Sequence, residues 1–128
     1  EAQDRNDDGS PNGSHPAWSP HLIQGWTPDF IPLVLQESID HNGFDEVRPV
    51  DAEDGMIWAK RLATEEGILT GVSGGSTLAT AMEVAADAEA GSVILVMLPD
   101  TGERYLSTPL FEAIPAEMTP EEQALADS

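Results

Sequence analysis

Apolar positions recur at helical spacing in three stretches of the chain. Ile31, Val34, Leu35 and Ile39 fall on one face, and Pro32 suits a first turn, so a helix is predicted over residues 29–40. Asn42-Gly43 stops it. A second helix runs from an Asp51 N-cap to about residue 66, with Glu53 and Asp54 in the first turn, where the helix dipole favours anions. Its inner face is Met56, Ala59, Leu62 and Ala63, and Gly67 closes it. A third spans residues 77–90, with Leu78, Met82, Ala85 and Ala86 facing inward and Gly91 at its end.

Between these lie shorter apolar runs. Residues 46–50 form a strand candidate that Pro49 weakens or confines to an edge. Residues 68–70 form a second short strand. Residues 92–98 form the clearest one, because Val93, Ile94, Leu95, Val96, Met97 and Leu98 are consecutive and apolar. A strand buried on both faces reads this way, as in a parallel sheet covered by helices. The alternation of helix and strand predicts an α/β fold, with helices packed on a mostly parallel sheet. Residues 1–20, rich in Gly, Pro, Ser, Asn and Asp, read as a loop or connection. Residues 21–111 hold the α/β segment, and residues 112–128 form an acidic, proline-punctuated tail with one short helix at 121–126.

Composition narrows the function. Five Lys+Arg stand against 24 Asp+Glu, a formal net charge of −19 over 128 residues. Nucleic acid and anionic membrane surfaces are bound through clustered cations, which this chain lacks. Cysteine is absent, which removes disulfides, thiol nucleophiles and Cys-ligated metals. No apolar run approaches the length of a membrane span. His15, His21 and His41 are scattered without the spacing of a zinc helix, so no metal site is expected. Trp18, Trp26 and Trp58 read as packing residues.

Two loops remain where chemistry could sit. Residues 71–76, Gly-Val-Ser-Gly-Gly-Ser, lie before a helix whose N-terminus presents free N–H groups. They lack the Lys of a Walker loop, and an ordinary strand–helix turn capped by Ser76 or Thr77 explains them equally well. Residues 99–104, Pro-Asp-Thr-Gly-Glu-Arg, follow the 92–98 run directly. Ligands of open α/β sheets bind outside the carboxyl ends of strands, which puts Pro99 and Asp100 near any site. A simple turn at Asp100-Thr101-Gly102 and an ion pair between Glu103 and Arg104 are the alternatives there.

Four stretches carry a resemblance. They are His21-Leu22-Ile23-Gln24-Gly25 followed by Phe30-Ile31-Pro32; Glu65-Glu66-Gly67-Ile68-Leu69; Gly71-Val72-Ser73-Gly74-Gly75; and residues 98–108, from Leu98-Pro99-Asp100 through Gly102-Glu103-Arg104-Tyr105 to Thr108. In this order and spacing the chain resembles the C-terminal part of cysteine synthase, or O-acetylserine sulfhydrylase. That enzyme belongs to the tryptophan synthase β-like, fold type II group using pyridoxal 5′-phosphate.

The resemblance implies a β-replacement: O-acetylserine and sulfide give cysteine and acetate. It implies that the Schiff-base lysine lies outside this chain, so that no catalytic residue is assigned here and these residues are inactive alone. Lys60, the one lysine, sits on a helix and matches a non-catalytic stretch. Ser73 matches the serine that meets the pyridine nitrogen of the cofactor. A neutral hydroxyl there makes a milder electron sink than an aspartate would, which suits chemistry at the β-carbon. Pro99 and Asp100 match the strand end beside the cofactor ring. Gly25 and Trp26 match the substrate mouth, where Trp26-Thr27-Pro28 departs from the small residues common in the family. The implied partners are a second subunit and the tail of serine acetyltransferase, and the implied compartment is the cytoplasm. The alternative is a non-catalytic binding module, or a half-enzyme that associates with a separate N-terminal half.

Overall fold

A computed structural model describes residues 2–23 and 25–128. Gln24, part of the first resemblance stretch, and Glu1 lie outside the described residues. In chain order the elements are α1 (Leu33–Asp40), α2 (Ala52–Glu66), α3 (Val72–Asp87), two 3-10 turns (Gly102–Tyr105 and Pro109–Phe111) and α4 (Pro120–Ala126).

Helices α2 and α3 form the packed centre. They approach closely because the facing positions are small: Gly55 and Ala59 on α2, and Gly75, Ser76 and Ala79 on α3, are all buried. A Cβ on Gly75 would collide with the carbonyl oxygen of Gly55 and the backbone nitrogen of Ala59. Ser76 is fully buried at 0% exposure, yet its hydroxyl is satisfied by the Val72 carbonyl at 2.9 Å, one turn earlier. The apolar core is Ile23, Ala59, Val72 and Leu110, with Trp26, Met56, Tyr105 and Phe111 packed around it. Gly67 ends α2 in the left-handed region at φ +70°, as its position after the last apolar residue predicts.

Three expectations need correction. First, the described residues contain no strand; the contacts of that kind are isolated bridges, Arg5 with Pro11 and Thr70 with Thr101. The mostly parallel sheet is therefore not formed, and residues 46–50, 68–70 and 92–98 carry no strand. A strand exists only through hydrogen bonds to a neighbour. Among the described residues, 92–98 form no ladder with a neighbouring strand, and Val93 and Leu95 are each 96% exposed. Second, α3 begins at Val72 instead of residue 77, so the expected loop at 71–76 is its N-cap and first turn. Its buried face is this small N-terminal stretch; Met82, Ala85 and Ala86 are exposed, and the helix ends at Asp87. Third, α1 begins four residues later than predicted and buries none of its residues.

Two termini are held differently. Near the start, Ile31 is clamped: its carbonyl accepts from Arg5 Nη2 at 2.6 Å, and its N–H donates to Gln3 Oε1 at 3.0 Å. Near the end, α4 has a full capping box. Glu122 N–H donates to the Thr119 hydroxyl at 3.3 Å, and Thr119 N–H donates to Glu122 Oε2 at 2.7 Å. No helix among the described residues is long and apolar enough to cross a membrane.

Candidate functional site

Ser73 is the second residue of α3 and is 5% exposed. Its placement follows from Gly71, the extended N-cap (φ −76°, ψ 178°). A Cβ on Gly71 would strike the Tyr105 ring and Asp100 Oδ1, so glycine is what lets the 99–105 turn close over the start of α3. The turn is held there by backbone contacts. Gly102 N–H donates to the Leu69 carbonyl at 3.3 Å, and the buried Thr70 hydroxyl donates to the Asp100 carbonyl at 3.2 Å. Gly74 in turn leaves room for the Thr70 side chain.

This closure pairs two polar groups over the start of α3. The Tyr105 hydroxyl donates to Asp100 Oδ2 at 2.5 Å. Asp100 Oδ1 is buried and has no hydrogen-bond partner. The Tyr105 phenol is held above its ordinary ionisation range. The bond to the Asp100 carboxylate is the main cause, with burial and the carboxylate charge adding to it. Ser73 and the charge of Arg104 pull the other way.

Of the sequence-predicted residues, Asp100 lies over Gly71 at the start of α3, Ser73 is buried two residues further along that helix, and Pro99 is exposed. Gly25 lies at φ +81° with open space where a Cβ would be, and Trp26 is half-buried against the core. The loop that follows is strapped down. The Thr27 carbonyl accepts from Trp18 Nε1 at 2.9 Å and faces His21 Nε2 at 3.4 Å, while His21 Nδ1 accepts from Ile23 N–H at 3.2 Å. A cavity of about 260 Å³ lies between these regions, lined by His21, Leu22, Met56, Val72, Tyr105 and Pro109 among others. Lys60 is exposed on α2, and Glu103 and Arg104 form no ion pair among the described residues; Glu103 is held below the usual carboxylate range by the Thr101 hydroxyl. Tyr105 and Gly71 are the site residues that the sequence reading passes over. Nothing in a four-residue gap between Asp100 and Tyr105 announces their bond before the 3-10 turn is known.

Comparison with known proteins gives these residues a context. No protein-family model matches the chain. The chain is 50% identical over 97 residues to O-ureido-L-serine synthase of Streptomyces lavendulae, covering 76% of this chain and 29% of that protein. It is 47% identical over 96 residues to the cysteine synthase of Haemophilus influenzae, covering 74% of this chain and 29% of that protein. Among solved structures, an O-ureido-L-serine-bound mutant of O-ureido-L-serine synthase superposes with a TM-score of 0.73 at 45% identity, covering 87% of this chain and 33% of that one. Over the part it covers, the chain is homologous to enzymes of the cysteine synthase family, and its structural neighbours are fold type II pyridoxal-phosphate enzymes. It spans 29% of the length of the curated relatives named here.

The family cofactor can be tested against the site. A pyridine ring nitrogen needs one polar neighbour in a dry setting. The buried Ser73 hydroxyl, backed by a buried Asp100 oxygen still without a partner, meets that need. The residues present fit the ring-nitrogen end of the cofactor. Nothing comparable exists here for its aldehyde end, because the sole lysine is on the exposed side of α2.

Proposed function

We propose that this chain is the C-terminal portion of a cytoplasmic, dimeric cysteine synthase, a transferase of cysteine biosynthesis that converts O-acetylserine and sulfide to cysteine and acetate. The observation that carries the proposal is the buried Ser73 hydroxyl beside the unpartnered Asp100 oxygen, in a chain of this family. Bound there, pyridoxal 5′-phosphate supplies the electron sink for removing the α-proton and expelling acetate. The residues of this chain hold and orient it. Ser73 meets the ring nitrogen, the Tyr105–Asp100 pair braces the turn over the start of α3, and Gly71 admits that turn. Pro99 borders the same wall. Gly25 and Trp26 form the rim of the substrate mouth, and the Thr27 strap holds that rim still. The lysine nucleophile comes from outside these residues, so they are inactive alone. The docking of a serine acetyltransferase tail at the same rim is part of this reading.

A second reading concerns the nucleophile. The 50% identity to O-ureido-L-serine synthase supports an oxygen nucleophile, with a ureido-bearing hydroxyl in the place of sulfide. The two share every step at the serine moiety and differ in what adds to the β-carbon. The test is a holoenzyme in which this segment is joined to the lysine-bearing remainder, supplied with O-acetylserine and either sulfide or hydroxyurea. Cysteine as the dominant product supports the first reading. O-ureido-L-serine as the dominant product supports the second, and neither product contradicts both.

A further inference from the structure

The sequence contains two Asn-Gly pairs, Asn12-Gly13 and Asn42-Gly43, and both asparagines are exposed. In such a pair the glycine nitrogen can attack the side-chain amide before it, because glycine has no Cβ to obstruct the approach. The two pairs differ in what holds the attacking nitrogen. At the first turn after α1 it is engaged. The Gly43 N–H donates to the Ser38 carbonyl at 2.7 Å, and the Ser38 side chain closes the space beside Gly43. At the other pair it is not. Among the described residues no hydrogen bond takes the Gly13 N–H, and nothing lies within 4 Å of where a Gly13 Cβ would be. The bonds around Asn12 are made by other atoms. Its own N–H donates to the Asp4 carbonyl at 2.9 Å. Its Nδ2, the nitrogen that has to leave, donates to Asp4 Oδ2 at 2.8 Å.

We propose that Asn12 is a site of spontaneous deamidation, and that its conversion releases the arm formed by residues 3–13. The Gly13 nitrogen gives up its proton and bonds to Asn12 Cγ. The Cγ–Nδ2 bond breaks, and Nδ2 takes up a proton and departs as ammonia. A five-membered succinimide results. Water then adds to one of its two carbonyls and opens the ring to aspartate or to the isomer linked through the β-carboxyl. The aspartate product sets a carboxylate against Asp4 Oδ2, so a donor is lost and two like charges meet. The Asn12–Asp4 contact closes the arm on itself and keeps Gly13 within reach of Gln3. Gln3 Nε2 donates to the Gly13 carbonyl at 3.3 Å, while Gln3 Oε1 accepts from Ile31 N–H at 3.0 Å. Beside it Arg5 Nη2 donates to the Ile31 carbonyl at 2.6 Å. Once the contact with Asp4 turns repulsive, the hook on Ile31 loses its support and Arg5 comes free.

Two measurements test the site and its consequence separately. The 128-residue chain is held at mildly alkaline pH and mapped by mass spectrometry. The mass gain of amide to carboxyl should appear at Asn12 several-fold sooner than at Asn42. In denaturant the two rates should converge, since each asparagine is followed by glycine. Equal rates in the folded chain, or Asn42 converting first, overturn the site. Asn12→Asp reproduces the aspartate product directly. Trypsin should then cut after Arg5 several-fold faster than in the unaltered chain, with the main unfolding transition unmoved. Combining Asp4→Asn with Asn12→Asp exchanges donor and acceptor and should return cleavage toward the unaltered rate. Cleavage no faster in Asn12→Asp, or faster cleavage that the exchange does not reverse, overturns the release.

Discussion

Two regions of this molecule have reversed fortunes. The α2–α3 crossing is built from Gly55, Ala59, Gly75, Ser76 and Ala79, residues with little apolar surface, and it is buried. The run from Val93 to Leu98 is continuously apolar, and Val93, Leu95 and Met97 are 96%, 96% and 72% exposed. Hydrophobicity alone does not decide what is inside. Helices satisfy their own backbone, so two of them can pack wherever small residues let them approach. An extended segment must find its backbone partners elsewhere before its side chains can be covered. The Thr77 hydroxyl ties residues 92–98 to α3, donating to the Met97 carbonyl at 2.6 Å.

The sharpest way to break this comparison is to open the packed region. Leu110 is 1% exposed against Ala59 and Val72. Leu110→Ala should cost about 2–5 kcal/mol, as buried leucine truncations do, read as a lowered midpoint in chemical denaturation. Gly75→Ala should cost about 1–3 kcal/mol by forcing the crossing apart, even though it improves helix propensity. A stabilised Gly75→Ala would mean that the close approach is not what holds α2 to α3. At the far end, Thr119→Ala should remove the N-cap of α4 at about 1 kcal/mol, seen as lost helical circular dichroism with the main transition unmoved.

A smaller effect lies on the alkaline side. The phenol of Tyr105 titrates above its ordinary value of 10.0 in the folded chain. A raised value means that the folded state holds the proton more tightly. The contribution is intact below the unfolded value and is lost as pH rises through the folded one. Stability should therefore decline in that window, and Asp100→Asn should flatten the decline. Smallest of all, Leu95→Lys in the isolated chain should change stability by no more than about 0.5 kcal/mol, the range of free surface positions. In the holoenzyme, where pairing with a strand from outside these residues would cover 92–98, the same change should abolish soluble expression.

What was legible in the sequence follows the same division. The limits of α2 could be read to a residue from Asp51, Glu53, Asp54 and Gly67; Asp51 occupies the N-cap position without a side-chain capping bond, and Gly67 closes the helix in the left-handed region. The short helix read at 121–126 forms at Pro120–Ala126, but its Thr119–Glu122 capping box was passed over. Residues 92–98 have the composition of an internal strand, but their pairing depends on neighbours that their own pattern cannot supply. The start of α3 was hidden by its glycines. Gly-x-Ser-Gly-Gly has the local preferences of a loop, and only burial against α2 makes it a helical turn. At the candidate site, Ser73 and Asp100 were named from the family resemblance alone. The phenol that bonds Asp100 was not named, since its place depends on the 3-10 turn at Gly102–Tyr105 and on the space over Gly71.

Under the proposed function, this chain supplies the ring-nitrogen wall of a cysteine synthase site and none of its covalent chemistry. The most direct measurement is to incubate the purified 128-residue chain with pyridoxal phosphate, O-acetylserine and sulfide and to quantify cysteine. The account predicts no cysteine above the cofactor-only background, with Lys60→Ala indistinguishable from the unaltered chain. Cysteine formed above that background, and lost in Lys60→Ala, would contradict it.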